Sequence, residues 1–148
     1  MIERVLDENS ANKCDVLLTK LIKDEMQYDK TISDNTIVKD YFKNIIKEKE
    51  NILLCYIEDN NIVGYIYLKP LTNNNSKGYL IDGLYVEENY RNKGIGKKLM
   101  SYALNECNKY DIEFIDINVL YNNEIAKKLY NKCGFIEHKI TMRKDLKS

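Results

Sequence analysis

Four β-rich runs in this chain are separated by connections of very different length, and those lengths decide the topology before any chemistry is considered. Residues 52–58 and 62–69 flank Asp59-Asn60-Asn61, a turn whose residues tolerate positive φ, so the two runs form a hairpin. Pro70 brings no N–H to a ladder and is expected to stop the second run, leaving the polar residues 72–77 as a loop. The third run, 79–86, follows so closely that it must return antiparallel and complete a meander. Before the fourth, 112–119, Ile95, Leu99, Ala103 and Cys107 recur every four residues and predict a helix from Gly94 to about Asn108. Strand, helix, strand implies a right-handed crossover and hence a parallel pair. A chain that makes both connections builds one mixed, mostly antiparallel sheet of the α+β class.

The flanks supply the remaining helices. Residues 2–6 read as a short strand, Asp7 to Ser10 offer caps, and Cys14, Leu17, Leu18, Leu21, Ile22 and Met26 mark an amphipathic helix. A second helix is expected after Asp34-Asn35, with Ile37, Val38, Tyr41, Phe42, Ile45 and Ile46 on its buried face. The last helix spans 123–132 and ends at Gly134, after which residues 136–144 read as one or two closing strands. Gly83 sits inside the third strand, where an isolated glycine marks a bulge or a close backbone approach.

The 148 residues amount to about one ordinary domain, taken as residues 1–148. Lys and Arg total 23, as do Asp and Glu, so no basic excess points to nucleic acid or an anionic membrane, and any anion site must be local. Cys14, Cys55, Cys107 and Cys133 lie far apart without a CxxC pair, as buried free thiols of a reducing compartment do. The first residues lack an apolar signal core and the longest apolar run, 52–57, is far below the roughly 20 residues of a membrane helix, so a cytoplasmic protein is expected.

One stretch looks built for an anion. In "NYRNKGIGKKL", Asn89 to Leu99, Gly94 and Gly96 precede a helix while Arg91, Lys93, Lys97 and Lys98 crowd its start, where cations oppose the helix dipole unless an anion is bound. A P-loop is excluded, because the spacing GxxxxGK[ST] and its hydroxyl are missing. A dinucleotide fingerprint fits poorly: Leu99 fills the third glycine position and seven residues, 87–93, part Val86 from Gly94, although Asp116 falls 20 residues beyond Gly96. A plain loop explains the two glycines but not the cations.

Arg91-x-x-Gly94-x-Gly96 after Leu84-Tyr85-Val86, followed by Asn123-x-x-Ala126-x-x-Leu129-Tyr130-x-x-x-Gly134-Phe135, resembles the GNAT superfamily of acyl-CoA-dependent N-acetyltransferases over essentially the whole chain. The resemblance implies a sheet whose two parallel strands splay apart, with helices on both faces. It implies acetyl-CoA as co-substrate and no metal. The amides of Arg91, Asn92, Lys93, Gly94, Ile95, Gly96 and Lys97 would wrap the diphosphate, while Leu84, Tyr85 and Val86 would offer main-chain contacts to the pantetheine arm. Val86 N–H would face the thioester carbonyl. Tyr130 would protonate the leaving thiolate, Asn123 would touch the pantetheine or cap the last helix, and Ala126 and Asn118 would line the same site, Asn118 orienting a water where relatives carry a glutamate.

An alkylammonium has a pKa near 10.4, so about one molecule in a thousand is a free amine at neutral pH, and a base is worth about 10² to 10⁴ in rate. Asp82, beside Gly83, is the candidate. It resembles the acid in the "YLEDFFV" of spermidine/spermine acetyltransferases, but "YLIDGLYV" here lacks their second acid. Glu25, Tyr28, Asp29 and Asp34 near the helix connection are candidates to attract a cationic amine. His138, the sole histidine, excludes a two-histidine metal site and lies beyond the motifs. The expected acceptor is a small-molecule amine or a peptide or protein, reached by direct transfer; a non-catalytic acyl-CoA sensor and a tRNA-directed acetyltransferase stand as rivals. A homodimer is compatible with the sequence.

Overall fold

The structure, a computed structural model, describes residues 1–147. The predicted alternation becomes β1 (Ile2–Arg4), β2 (Ile52–Glu58), β3 (Asn61–Asn73), β4 (Ser76–Val86) and β5 (Phe114–Ile117), which lie side by side in that order. The first three pairs are antiparallel and β4–β5 is parallel, as the connection lengths require.

Both faces of the sheet are covered, so the alternating side chains feed two cores rather than one core and solvent. Leu53, Cys55, Tyr65, Tyr67 and Tyr85 pack with Ala11, Cys14 and Leu17 of α1 (Glu8–Glu25) and with Phe42 of α2 (Phe42–Ile45). Ile52, Leu54, Ile66, Leu68 and Ile81 pack with Ile95, Leu99, Met100, Ala103 and Cys107 of α3 (Ile95–Cys107), the four-residue repeat seen in the sequence. Asp7 caps α1 by accepting from Ser10 N at 2.9 Å. The last helix, α4 (Glu124–Lys132), is capped by Asn123 and lies beyond β5 in the chain.

Five expectations are corrected. The second helix shrinks to one turn because its would-be first half is tied to α1 instead: Val38 N donates to Thr19 Oγ1 at 2.9 Å, Phe42 N to the buried Asp15 carboxylate at 3.0 Å, and Asp40 adopts φ 57°. Ile37, assigned to a buried face, is 69 % exposed. Pro70 does not stop β3, since pairing with β2 ends at Leu68 and the strand has a free edge on that side when it reaches the proline. The loop at 72–77 is instead a tight hairpin, Asn73 opposite Ser76, turned by Asn74 at φ 57°. β5 holds only four residues of the expected 112–119, and residues 136–144 form no strand; Ile136, Ile140 and Met142 project into solvent. Alternation supplies propensity, and a strand exists only where a ladder accepts it.

Candidate active site

Gly83 marks a bulge, as its place in a strand predicted. Tyr67 faces Gly83 and Leu68 faces Ile81, so Asp82 is an extra residue on β4. The insertion breaks the alternation: Ile81 lies in the α3 core, whereas Gly83 turns to Tyr65 in the α1 core and Asp82 acts electrostatically on Tyr41, Tyr65 and Tyr67 of that same side. At the same point the parallel ladder ends. Its last pair is Ile81 with Ile117, and among the described residues 82–86 have no partner on that side.

The register also shows which backbone groups face this gap. Glu87 N donates to Val63 O at 2.8 Å, which makes Gly64 and Val86 a pair without mutual hydrogen bonds. Val86 and, two residues back, Leu84 therefore turn their N–H and C=O groups away from β3 and into the gap. Tyr85 turns its own toward β3. It serves the site through its ring, which lies 5.1 Å under the Arg91 guanidinium.

Beyond β4, a short 3₁₀ turn (Glu88–Tyr90) leads into the glycine stretch. Asn92 at φ 64° and Gly94 at φ 80° swing the chain so that α3 begins with its amides outward. Asn92, Lys93, Gly94, Ile95, Gly96 and Lys97 donate to no acceptor among the described residues, and no side chain caps the helix. Gly94 is explained by its left-handed backbone. Gly96 is not: a Cβ there would come no closer than 3.9 Å, to Val86 Cγ2, so nothing inside the protein demands the glycine. A run of unpaired donors, a helix dipole and surface kept clear of a methyl group make a seat for an anion that approaches the backbone closely.

Arg91 also holds neighbouring elements together. Its amide donates to Glu88 O at 3.3 Å, while its guanidinium donates to Val86 O at 2.8 Å and to Asp24 of α1 at 2.9 Å. It ties β4 to α1 beside the gap. Lys93 lies 5.3 Å over the Tyr90 ring, and Lys97 is exposed at the helix start.

The opposite wall comes from α4. Asn123 Oδ1 accepts from Ala126 N at 3.2 Å, which settles its capping role, and Asn118 follows β5 directly, exposed at the mouth of the gap. Tyr130 packs edge-on to Phe135 and against the α3 core. Burial, with help from Glu25, pushes its phenol up to about 12. Glu25 is the last residue of α1 and lies within electrostatic range of Tyr130.

Glu25, Asp29 and Asp82 form the α1 side of this opening. Asp82 pairs with Lys69 at 3.6 Å and Asp29 with Arg143 at 3.1 Å. The half-buried Glu25 has no cation among the described residues; burial first, and then Asp29 and Asp82, raise its pKa above the usual carboxylate range. Two tyrosines escaped the sequence reading. Tyr67 and Tyr65 look like ordinary core residues of an alternating strand, yet the Tyr65 hydroxyl is buried without a hydrogen-bond partner. The one signal was Gly83, where a Cβ would meet that hydroxyl at 2.6 Å. His138 is exposed and takes no part.

A mixed sheet whose two parallel strands part beside a helix start with unpaired amides is an α+β architecture. The model of the Acetyltransferase (GNAT) family matches residues 17–135, and the chain belongs to that family; it is an acyltransferase. An N-alpha-acetyltransferase of Sulfurisphaera tokodaii is 31 % identical over 110 residues, a match that spans 68 % of this chain and 65 % of that protein. In fold, the chain matches the tetramutant BH1408 protein of Bacillus halodurans with a TM-score of 0.85 at 18 % identity, over 99 % of each chain. It also matches the aminoglycoside N-acetyltransferase AAC(6')-Iy in complex with CoA, with a TM-score of 0.72 at 14 % identity, over 98 % of this chain and 99 % of that one. No described helix is long and apolar enough to cross a membrane.

Proposed function

We propose that the protein transfers an acetyl group from acetyl-CoA to a primary amine directly, with no covalent enzyme intermediate. The unpaired amides from Asn92 to Lys97, set beside a gap in the sheet, carry this reading. They fit the diphosphate of coenzyme A, with Gly96 leaving room for it. Bound there, acetyl-CoA supplies the activated acetyl group. The gap-facing backbone of Leu84 and Val86 orients the arm that carries the thioester, and Val86 N–H stands where charge develops on the carbonyl oxygen.

Tyr130 keeps its proton throughout the physiological range, because its phenol is held near 12, and gives it to the departing sulfur. Asp82, the extra residue of the bulge at the mouth of the gap and 3.6 Å from Lys69, takes the proton of the approaching ammonium ion. Thiol release from acetyl-CoA over a panel of amines tests the reading. Wild-type protein is expected to turn over with at least one of them and Tyr130→Phe to lose about 10² to 10⁴ in kcat. Thiol release that no amine stimulates contradicts transfer.

A further inference from the structure

Three ion pairs border the α1 side of the opening, and they differ in chemistry. Asp24 holds Arg91 and Asp29 holds Arg143, and a guanidinium keeps its charge at any working pH. Asp82 instead holds Lys69, whose Nζ lies 3.6 Å from Oδ2 of the carboxylate. Among the described residues, these three pairs contain a single primary amine, that of Lys69. Lys20, another lysine tied to the end of β4, pairs with Glu87 past Val86, beside Val63 and Tyr90.

The register explains why Lys69 comes to lie there. Tyr65 and Tyr67 of β3 turn to the α1 core and Leu68 to the α3 core, so alternation carries Lys69 onto the α1 face. Phe42 packs on both tyrosine rings, with centroids 5.4 and 5.5 Å away, whereas the Lys69 side chain is 43 % exposed. Across the ladder Lys69 faces Leu80 and Leu68 faces Ile81, which leaves the bulged Asp82 next to the lysine. The gap closes at the same place, since Ile81 and Ile117 are the last parallel pair. An arm seated by its diphosphate at Asn92 to Lys97 runs back along β4, past Val86 and then Leu84, toward this closed end.

We propose, building on the acetyl-transfer reading in which Asp82 is the base, that the protein acetylates itself at Lys69. A base serves an amine that lies within reach of its oxygen, and the spacing of 3.6 Å is of the looser kind that such pairs keep before the substrate binds. An exposed ion pair is weakly held, so the amine is free to leave the carboxylate once its proton has passed. That proton goes from Nζ to Asp82, leaving a neutral amine and a carboxylic acid. The nitrogen lone pair forms the C–N bond to the acetyl carbon, and the C–S bond breaks with its electron pair on sulfur. Tyr130 protonates the sulfur, and its phenolate recovers the second nitrogen proton. The product is a neutral amide on Lys69, which leaves Asp82 without its ion pair.

Purified protein incubated with acetyl-CoA and no added amine, followed by mass spectrometry of its peptides, tests this. Lys69 is expected to gain an acetyl group at least about tenfold faster than the exposed Lys30 and Lys139, at a rate per molecule that dilution does not change. Asp82→Asn should slow the modification of Lys69 by about 10² or more, and Asp82→Glu should recover part of it, while Lys30 and Lys139 react as before. Lys69→Arg should abolish the fast phase. A Lys69 no more reactive than Lys30 and Lys139, or equally reactive in Asp82→Asn, overturns the proposal. So does a rate per molecule that rises with protein concentration, which is transfer between molecules. Acetylation of an added amine with Lys69 unmodified overturns self-acetylation and leaves acetyl transfer standing. Coenzyme A binding with neither Lys69 nor any added amine acetylated overturns both proposals together.

Discussion

Tyr65 and Gly83 occupy one volume. A methyl group at position 83 would stand 2.6 Å from the Tyr65 hydroxyl and 3.1 Å from its ring. Gly83→Ala is expected to destabilise the fold by about 1–3 kcal/mol, as overpacking does, and Tyr65→Phe to relieve part of that in the double variant. Denaturant titration of the four proteins measures the coupling. Glu25 has a stability signature of its own. Its pKa is raised in the folded state, so the native protein binds that proton more tightly than the unfolded chain does. The stability it contributes is present below the unfolded value and lost as pH rises through the folded one. Glu25→Gln should therefore raise the Tm at pH 7 and leave it nearly unchanged at pH 4; an equal Tm at pH 7 contradicts the half-buried carboxylate.

The start of α3 separates binding from folding most cleanly. Gly96 lies in the first turn with space around it, so Gly96→Ala should stabilise the protein by about 0.5–1 kcal/mol, as the exchange does in helices, while weakening coenzyme A binding by tenfold or more. Calorimetry and thermal melting on one sample check both signs. This element was legible in advance because its signals are local: glycines, a run of cations and a four-residue repeat. The bulge was legible for the same reason, through one glycine in a strand. Helix α2 was not, since what holds residues 36–41 out of a helix is Asp15 and Thr19 on another element, some twenty residues away in the chain. Pro70 misled because an edge cannot be seen before the partner strand's length is known. The ion pairs around the end of α1 were hidden too. Asp24–Arg91 and Asp29–Arg143 join residues 67 and 114 positions apart, and no local pattern announces them.

At the scale of the molecule, the two halves of the candidate site belong to opposite faces of one sheet, α1 on one side and α3 on the other, and they meet only where β4 and β5 separate. A ligand that fills this gap and seats its diphosphate on α3 binds the folded state alone. Coenzyme A at a hundred times its Kd should then stabilise the protein by about 2.7 kcal/mol, a rise of roughly 5–10 °C in Tm for a chain of this size. The most direct measurement is amide hydrogen exchange by NMR with and without coenzyme A. The account predicts that Asn92 to Lys97, exchanging freely in the unliganded protein, become strongly protected when coenzyme A is added, together with the gap-facing amides of Leu84 and Val86. Protection that appears elsewhere, or binding that leaves those six amides exchanging as before, would contradict it.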